Sequence, residues 1–156
     1  MSKSVEQFTQ GFGSMMRATA RIRSQVASFE GVDFTGLRLV SHLATNGPSR
    51  LSDLAEELLV DAAIITRQSH ILVDGGFAER RINPSDARGT LLAITSAGED
   101  LYKNHCDRRN EFFKEIFDGW SQDEIEQFSI SVERFTKALN EKSTLALSKQ
   151  RIKQEK

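Results

Sequence analysis

The chain is 156 residues long, with 21 Lys+Arg against 22 Asp+Glu and a formal net charge of -1. One domain or little more fits that length, and such a chain buries a core without disulfides or a structural metal. The charge balance excludes a histone-like protein that grips nucleic acid by bulk positive charge; any such contact must come from a local patch.

The first predicted element is a helix over about 5–29. Phe8, Phe12, Met15, Thr19, Ile22, Val26 and Phe29 recur at alternating steps of four and three, the seam of a heptad. Asp33 can cap a second helix carrying Leu37, Val40 and Leu43, which Asn46-Gly47-Pro48 stops. Ser52 can cap a short helix over 53–59. A further helix over 62–74 buries Ile65 and Leu72 and ends at Gly75-Gly76. Two strand-like runs follow, 77–82 and 90–95, joined by a turn-rich tip at 83–89. A helix over 96–119 comes next. The last is opened by the capping-box pair Ser121 and Glu124, with Ile125, Phe128, Val132, Phe135 and Leu139 along one face.

Helix, helix, turn, helix and then a two-stranded hairpin is the order of a winged helix-turn-helix. The expected fold is therefore mostly α, with a small β-hairpin wing and long terminal dimerisation helices. The boundaries read as 1–32 for an N-terminal dimerisation helix and 33–95 for the winged lobe. Residues 96–147 form the C-terminal dimerisation helices, and 148–156 a polar tail. Seams this regular pack against another long helix, which a second copy of the chain would supply. Phe8, Phe12, Met15, Ile22, Phe117, Ile125, Phe128, Val132, Phe135 and Leu139 are the expected dimer contacts.

The middle segment carries a resemblance. Gly47-Pro48, then Leu51-Ser52-Asp53-Leu54-Ala55-Glu56-Glu57-Leu58, is similar to the "GP…LSELAERL" segment of one family. Asp61, Thr66-Arg67, Leu72 and Gly76-Phe77-Ala78-Glu79-Arg80-Arg81 match its recognition helix and first wing strand. Asn83-Pro84-Ser85-Asp86-Ala87-Arg88 matches the wing, and Leu92-Ala93-Ile94-Thr95-Ser96-Ala97-Gly98 the approach to the next helix. This ordered set, over about 32–101, resembles the MarR family of bacterial transcriptional regulators. The resemblance implies a homodimer on double-stranded DNA with an inverted-repeat operator. It also implies repression of nearby genes, relieved by a small aromatic or phenolic molecule or by oxidation of a cysteine. No cofactor is expected.

On that reading Ala62, Ala63, Thr66, Arg67 and His70 face the major groove, where base edges carry distinguishable patterns; Gln68 reads adenine if it faces the groove, although its place between Ile65 and Leu72 suggests partial burial. Arg88 at the wing enters the minor groove, and Asp86 holds the wing by pairing with Arg88 or a nearby arginine. Arg50, Arg80 and Arg81 contact phosphates, and Ser52 sits at a helix N-terminus that can receive one. The chain departs from the family pattern at Ser69, where many relatives are apolar, and at Ala62, where many are basic. Arg17, Arg21, Arg38 and His42 are the polar candidates for a ligand cleft, or else surface charges and a satisfied core histidine.

The single cysteine, Cys106, fits a reducing compartment and is either a redox switch or an inert small hydrophobe. Its neighbour His105 and the scattered His42 and His70 have no metal-ligand spacing, so no metal is expected. There is no Gly-rich phosphate loop, HExxH or GxSxG, which argues against an enzyme. The N-terminus lacks a signal-like stretch and no apolar run nears roughly 18 residues, so the expectation is a cytoplasmic protein away from membranes. A winged helix that binds protein instead of DNA is the remaining alternative.

Overall fold

The structure is a computed structural model that describes residues 3–25 and 28–154, without the side chains of 24–25, 87–88 and 143–154. Its elements are α1 (Lys3–Gln25), α2 (Phe34–Asn46), α3 (Leu51–Leu58), α4 (Ala62–Asp74), β1 (Ala78–Asn83), β2 (Asp86–Ile94), α5 (Ser96–Ile116) and α6 (Gln122–Gln154). The chain divides into two compact units, Met1–Arg109 and Asn110–Lys156. Among the described residues no helix is long and apolar enough to cross a membrane.

The first unit holds the core. Leu39, Val40 and Leu43 of α2, Leu54 of α3, Ile65 and Leu72 of α4, Leu92 of β2 and Leu101 of α5 are all buried together. The expected first helix ends earlier than its heptad pattern, at Gln25, and Val26 lies outside the described residues. Phe29 leaves the seam altogether. It faces Val32 across a two-residue turn, with backbone bonds of 2.8 and 2.9 Å in both directions. Glu30 (φ 50) and Gly31 (φ 81) take the left-handed conformations such a turn requires, which no α-helix can continue. Buried there, the Phe29 ring lies 5.8 Å from the His105 ring and 5.1 Å from the Arg108 guanidinium.

Asp33 caps α2 as expected, accepting from the Gly36 amide at 2.9 Å. Helix α3 starts one residue before the expected Ser52 cap. Its capping position is Arg50, without a side-chain bond, and the Ser52 hydroxyl donates to Asp53 instead (3.0 Å). The reason lies just upstream. Ser49 exchanges both backbone bonds with Leu92 (3.0 and 2.9 Å), an isolated bridge that keeps 49–50 out of the helix and against the wing.

The hairpin pairs Ala78 with Ile94 through to Ile82 with Thr90, antiparallel. Its tip is tighter than the expected loop over 83–89. Asn83 pairs with Asp86, so only Pro84 and Ser85 turn, and 87–89 form a bulge on β2. Asn83 drives this by accepting from the Ser85 amide at 3.0 Å, an Asx turn.

The joint between wing and α5 explains the Thr95-Ser96-Ala97-Gly98 motif. The Thr95 hydroxyl donates to the Gly76 carbonyl (2.6 Å) and accepts from the Gly98 amide (3.1 Å). A Cβ on Gly98 would stand 2.1 Å from the Phe77 carbonyl oxygen and 2.7 Å from Ile94, so no other residue fits.

In the second unit, Phe113, Phe117, Trp120 and Phe128 form a chain of stacked and edge-on rings with centroids 5.3–6.4 Å apart. Phe117 and Phe128, expected as contacts to a second copy, are thus also partners within the chain. Trp120 is the member that periodicity did not mark. The capping box forms as expected: Glu124 accepts from the Ser121 amide (2.8 Å) and hydroxyl (2.9 Å), which holds its carboxyl below the usual range. Helix α6 runs on to Gln154, through the stretch from 148 expected to be a polar tail. Residues 144–154 contain neither Gly nor Pro and are mostly good helix formers.

Gly98→Ala is expected to lower stability by about 1–3 kcal/mol in thermal unfolding followed by circular dichroism. A second prediction concerns His105, whose imidazole is pushed below its usual value by burial and then by Arg109. Its folded state resists protonation, so its full contribution is present above the unfolded value of about 6.5. It is lost as pH falls through the lowered folded value. His105→Gln should flatten the decline in melting temperature below pH 6.5, and an unchanged slope would refute this.

Candidate nucleic-acid interface

Helix α4 is built in two halves around its axis. Ile65, Gln68, Ser69 and Leu72 are buried, whereas Ala62, Ala63, Thr66, Arg67 and His70 are exposed on a contiguous face. Asp61 caps it, taking the Ala63 amide at 2.7 Å. The Thr66 hydroxyl donates to the Ala62 carbonyl at 2.8 Å. Arg67 and His70 make no ion pair or hydrogen bond with any other described residue, so both heads are open to a ligand.

Of the two readings open to Gln68, base contact or burial, the structure has burial: it is 1% exposed. Its Nε2 donates to Asp33 Oδ2 at 2.6 Å, and its Oε1 lies buried without a partner among the described residues. A side chain turned into the α2–α4 contact cannot read a base. Gly36 makes that contact passable, since a Cβ there would meet Val32 at 2.5 Å and Gln68 Oε1 at 3.1 Å. Ser69 is buried too, its hydroxyl donating to the Thr66 carbonyl (2.8 Å), which is how a polar residue occupies a position apolar in many relatives.

On the hairpin, Arg80 and Arg81 point to opposite faces, because strand side chains alternate. Arg81 is tied to Glu79, Nη2 to Oε1 at 2.6 Å. Arg80 shares its face with Ile82, whose side chain is 76% exposed, and has no ion pair among the described residues. Asp86 does meet a nearby arginine: Arg50 Nη2 lies 3.5 Å from Asp86 Oδ2, linking the wing to the start of α3. Both side chains are half exposed, so the pair contributes at most about 1 kcal/mol and serves mainly as a positional tie. The side chain of Arg88 lies outside the described residues.

The four ligand candidates separate. Arg38 and His42 line one surface depression of about 310 Å³, together with Ser41, Thr45, Asn46 and Leu58. Arg38 donates there to the Leu58 carbonyl, closing the end of α3. The His42 side chain is 8% exposed and held between Asn46 (3.2 Å), Ser49 (3.4 Å) and Glu57 (3.5 Å). Arg17 bonds Ser14 on α1 (2.9 Å), and neither it nor Arg21 reaches the depression. Cys106 is partly exposed on α5, its Sγ 3.7 Å from Arg109 Nη2.

Sequence patterning did not identify the Asp33–Gln68 bond, whose partners are 35 residues apart. The one available signal was a polar residue between Ile65 and Leu72, a position that had to be buried.

The MarR family profile matches residues 35–90. The HTH-type transcriptional regulator YxaD of Bacillus subtilis is 33% identical over 100 residues, 64% of this chain and 70% of its own length. RV1404 from Mycobacterium tuberculosis superposes with a TM-score of 0.72 at 22% identity, covering 90% of this chain and 97% of that one. Streptococcus pneumoniae FabT, solved in complex with DNA, superposes with a TM-score of 0.70 at 16% identity over 88% and 98% of the two chains. With its α2–α4 lobe, its hairpin wing and these relatives, the chain belongs to the MarR family of transcriptional regulators, whose winged helix-turn-helix binds DNA, and not to a class of enzymes.

Proposed function

We propose that this protein is a homodimeric repressor that binds an inverted-repeat operator, with α4 in the major groove and the wing in the minor groove. The observation that carries the reading is the exposed face of α4. It is the face of that helix free of the core, and it presents Arg67 and His70 without an ion pair or hydrogen bond among the described residues. Arg88 reaches the minor groove from the bulge that follows the wing turn, where negative potential favours guanidinium. Arg50, Ser52 and Arg80 take phosphates. Arg81, held by Glu79, contributes less. FabT's complex with DNA gives the same fold a nucleic-acid partner in a structural neighbour.

The dimer rests on exposed apolar side chains. Phe128, Val132, Phe135 and Leu139 lie 37–52% exposed along α6, and Phe8, Met15 and Ile22 lie 39–48% exposed on α1. Faces of this length are seldom left in water. The two winged lobes of such a dimer meet half-sites about 10 base pairs apart. Release comes from a small aromatic or phenolic molecule, and the depression holding Arg38 and His42 is its best-supported seat in one chain. Oxidation of Cys106 is the weaker route, since a single cysteine has no resolving partner within the chain.

Footprinting of the DNA upstream of the protein's own gene is expected to reveal two protected half-sites on one face of the duplex. Arg88→Ala should weaken binding about tenfold or more while leaving the dimer intact. Phe128→Glu combined with Phe135→Glu should yield monomers in sedimentation. Unchanged affinity of the first variant would refute the wing assignment, and an intact dimer in the second would refute the α6 seam.

A further inference from the structure

We infer that α4 selects its half-site through the 5-methyl groups of thymine, so that this chain takes DNA with A·T pairs where the first half of the helix enters the groove. The inference rests on the placement of α4 proposed above. The N-terminal residues of a recognition helix are the ones that reach base edges. Here those residues are Ala62 and Ala63, exposed and ending in a methyl group. Neither side chain has a donor or acceptor, and the Ala63 amide is already taken by Asp61 (2.7 Å).

Thr66, one turn on, extends the same chemistry. Its hydroxyl proton is spent on the Ala62 carbonyl (2.8 Å), which leaves the γ-methyl as the group with no partner in the helix. The residue best suited to fork onto adenine, Gln68, is turned inward and bonded to Asp33. Up to Thr66 the exposed residues of α4 therefore offer three such methyl groups and the apolar side chain of Ile64, and no side-chain donor is free before Arg67. In the major groove the only apolar group on any base edge is the thymine methyl. Small apolar side chains can distinguish thymine from cytosine by contact with it, and they are short enough to let the backbone come close. Arg67, the next residue, and His70, one turn after Thr66, remain as the polar readers.

Selection from a random duplex pool should return half-sites with thymines in A·T pairs. Replacing those thymidines by deoxyuridine deletes only the methyl and keeps every donor and acceptor. Affinity is expected to fall roughly fourfold for each methyl removed from contact, the worth of one buried methylene. Thr66→Ser, which keeps the hydroxyl and loses the methyl, should make one of those thymidine positions insensitive to the change. Arg67→Ala should weaken both duplexes alike. Equal, tight and salt-sensitive binding of thymidine and deoxyuridine duplexes would overturn the methyl readout while leaving a DNA-binding regulator standing. Failure of the selection to enrich any sequence would overturn both.

Discussion

The rotation of α4 about its own axis is held by one half-buried carboxylate. Asp33 caps α2 with one oxygen and accepts from Gln68 with the other, at 2.9 and 2.6 Å. A charge-assisted bond is stronger than a neutral one, and breaking this one leaves the buried Gln68 amide without its acceptor. Turning α4 by one residue would expose Gln68 and bury either Arg67 or Thr66. The face presented to solvent is thus fixed from the inside. Gly36 permits this clamp by giving up a side chain where the two helices cross.

The electrostatics follow from the same arrangement. A chain of net charge -1 cannot hold a duplex by bulk attraction. Its recognition helix carries one arginine, and its first turn is capped by Asp61. On the proposed reading the cationic work falls to the rim: Arg50 at the start of α3, Arg80 on β1 and Arg88 beyond the wing turn. Two of the nearby carboxylates, Glu79 and Asp86, hold arginines in position and moderate that rim. In the proposed complex, apolar contacts from α4 and positional contacts around it form a division of labour suited to such a charge.

Much of this was legible in the sequence because the responsible interactions are local. The Asp33 cap, the Asn46-Gly47 stop, the Gly75-Gly76 end of α4 and the Ser121–Glu124 capping box each lie within a few residues. The readings that changed depend on distant partners. Phe29 fits a heptad by spacing, yet its ring is claimed by α5, more than 70 residues along. Ser52 looks like a cap, but the bridge from Ser49 to Leu92 sets where α3 begins. Gln68 could by its sequence position either read a base or be buried, and it is the bond to Asp33, 35 residues away, that decides for burial. The wing loop shortens because Asn83 and Asp86 pair, which composition alone does not specify. The role of Gly98 was visible as a motif, but its reason, a carbonyl 2.1 Å from any Cβ, exists only in three dimensions.

The central claim is that this winged helix reads a specific duplex with its α4 face and arginine rim. The most direct measurement is binding to DNA from upstream of the protein's own gene across a salt series, with a scrambled duplex of equal composition alongside. Tight binding that favours the native duplex, with log affinity falling steeply and linearly with log salt, is the predicted result. Weak binding, equal on both duplexes at every salt concentration, would contradict it.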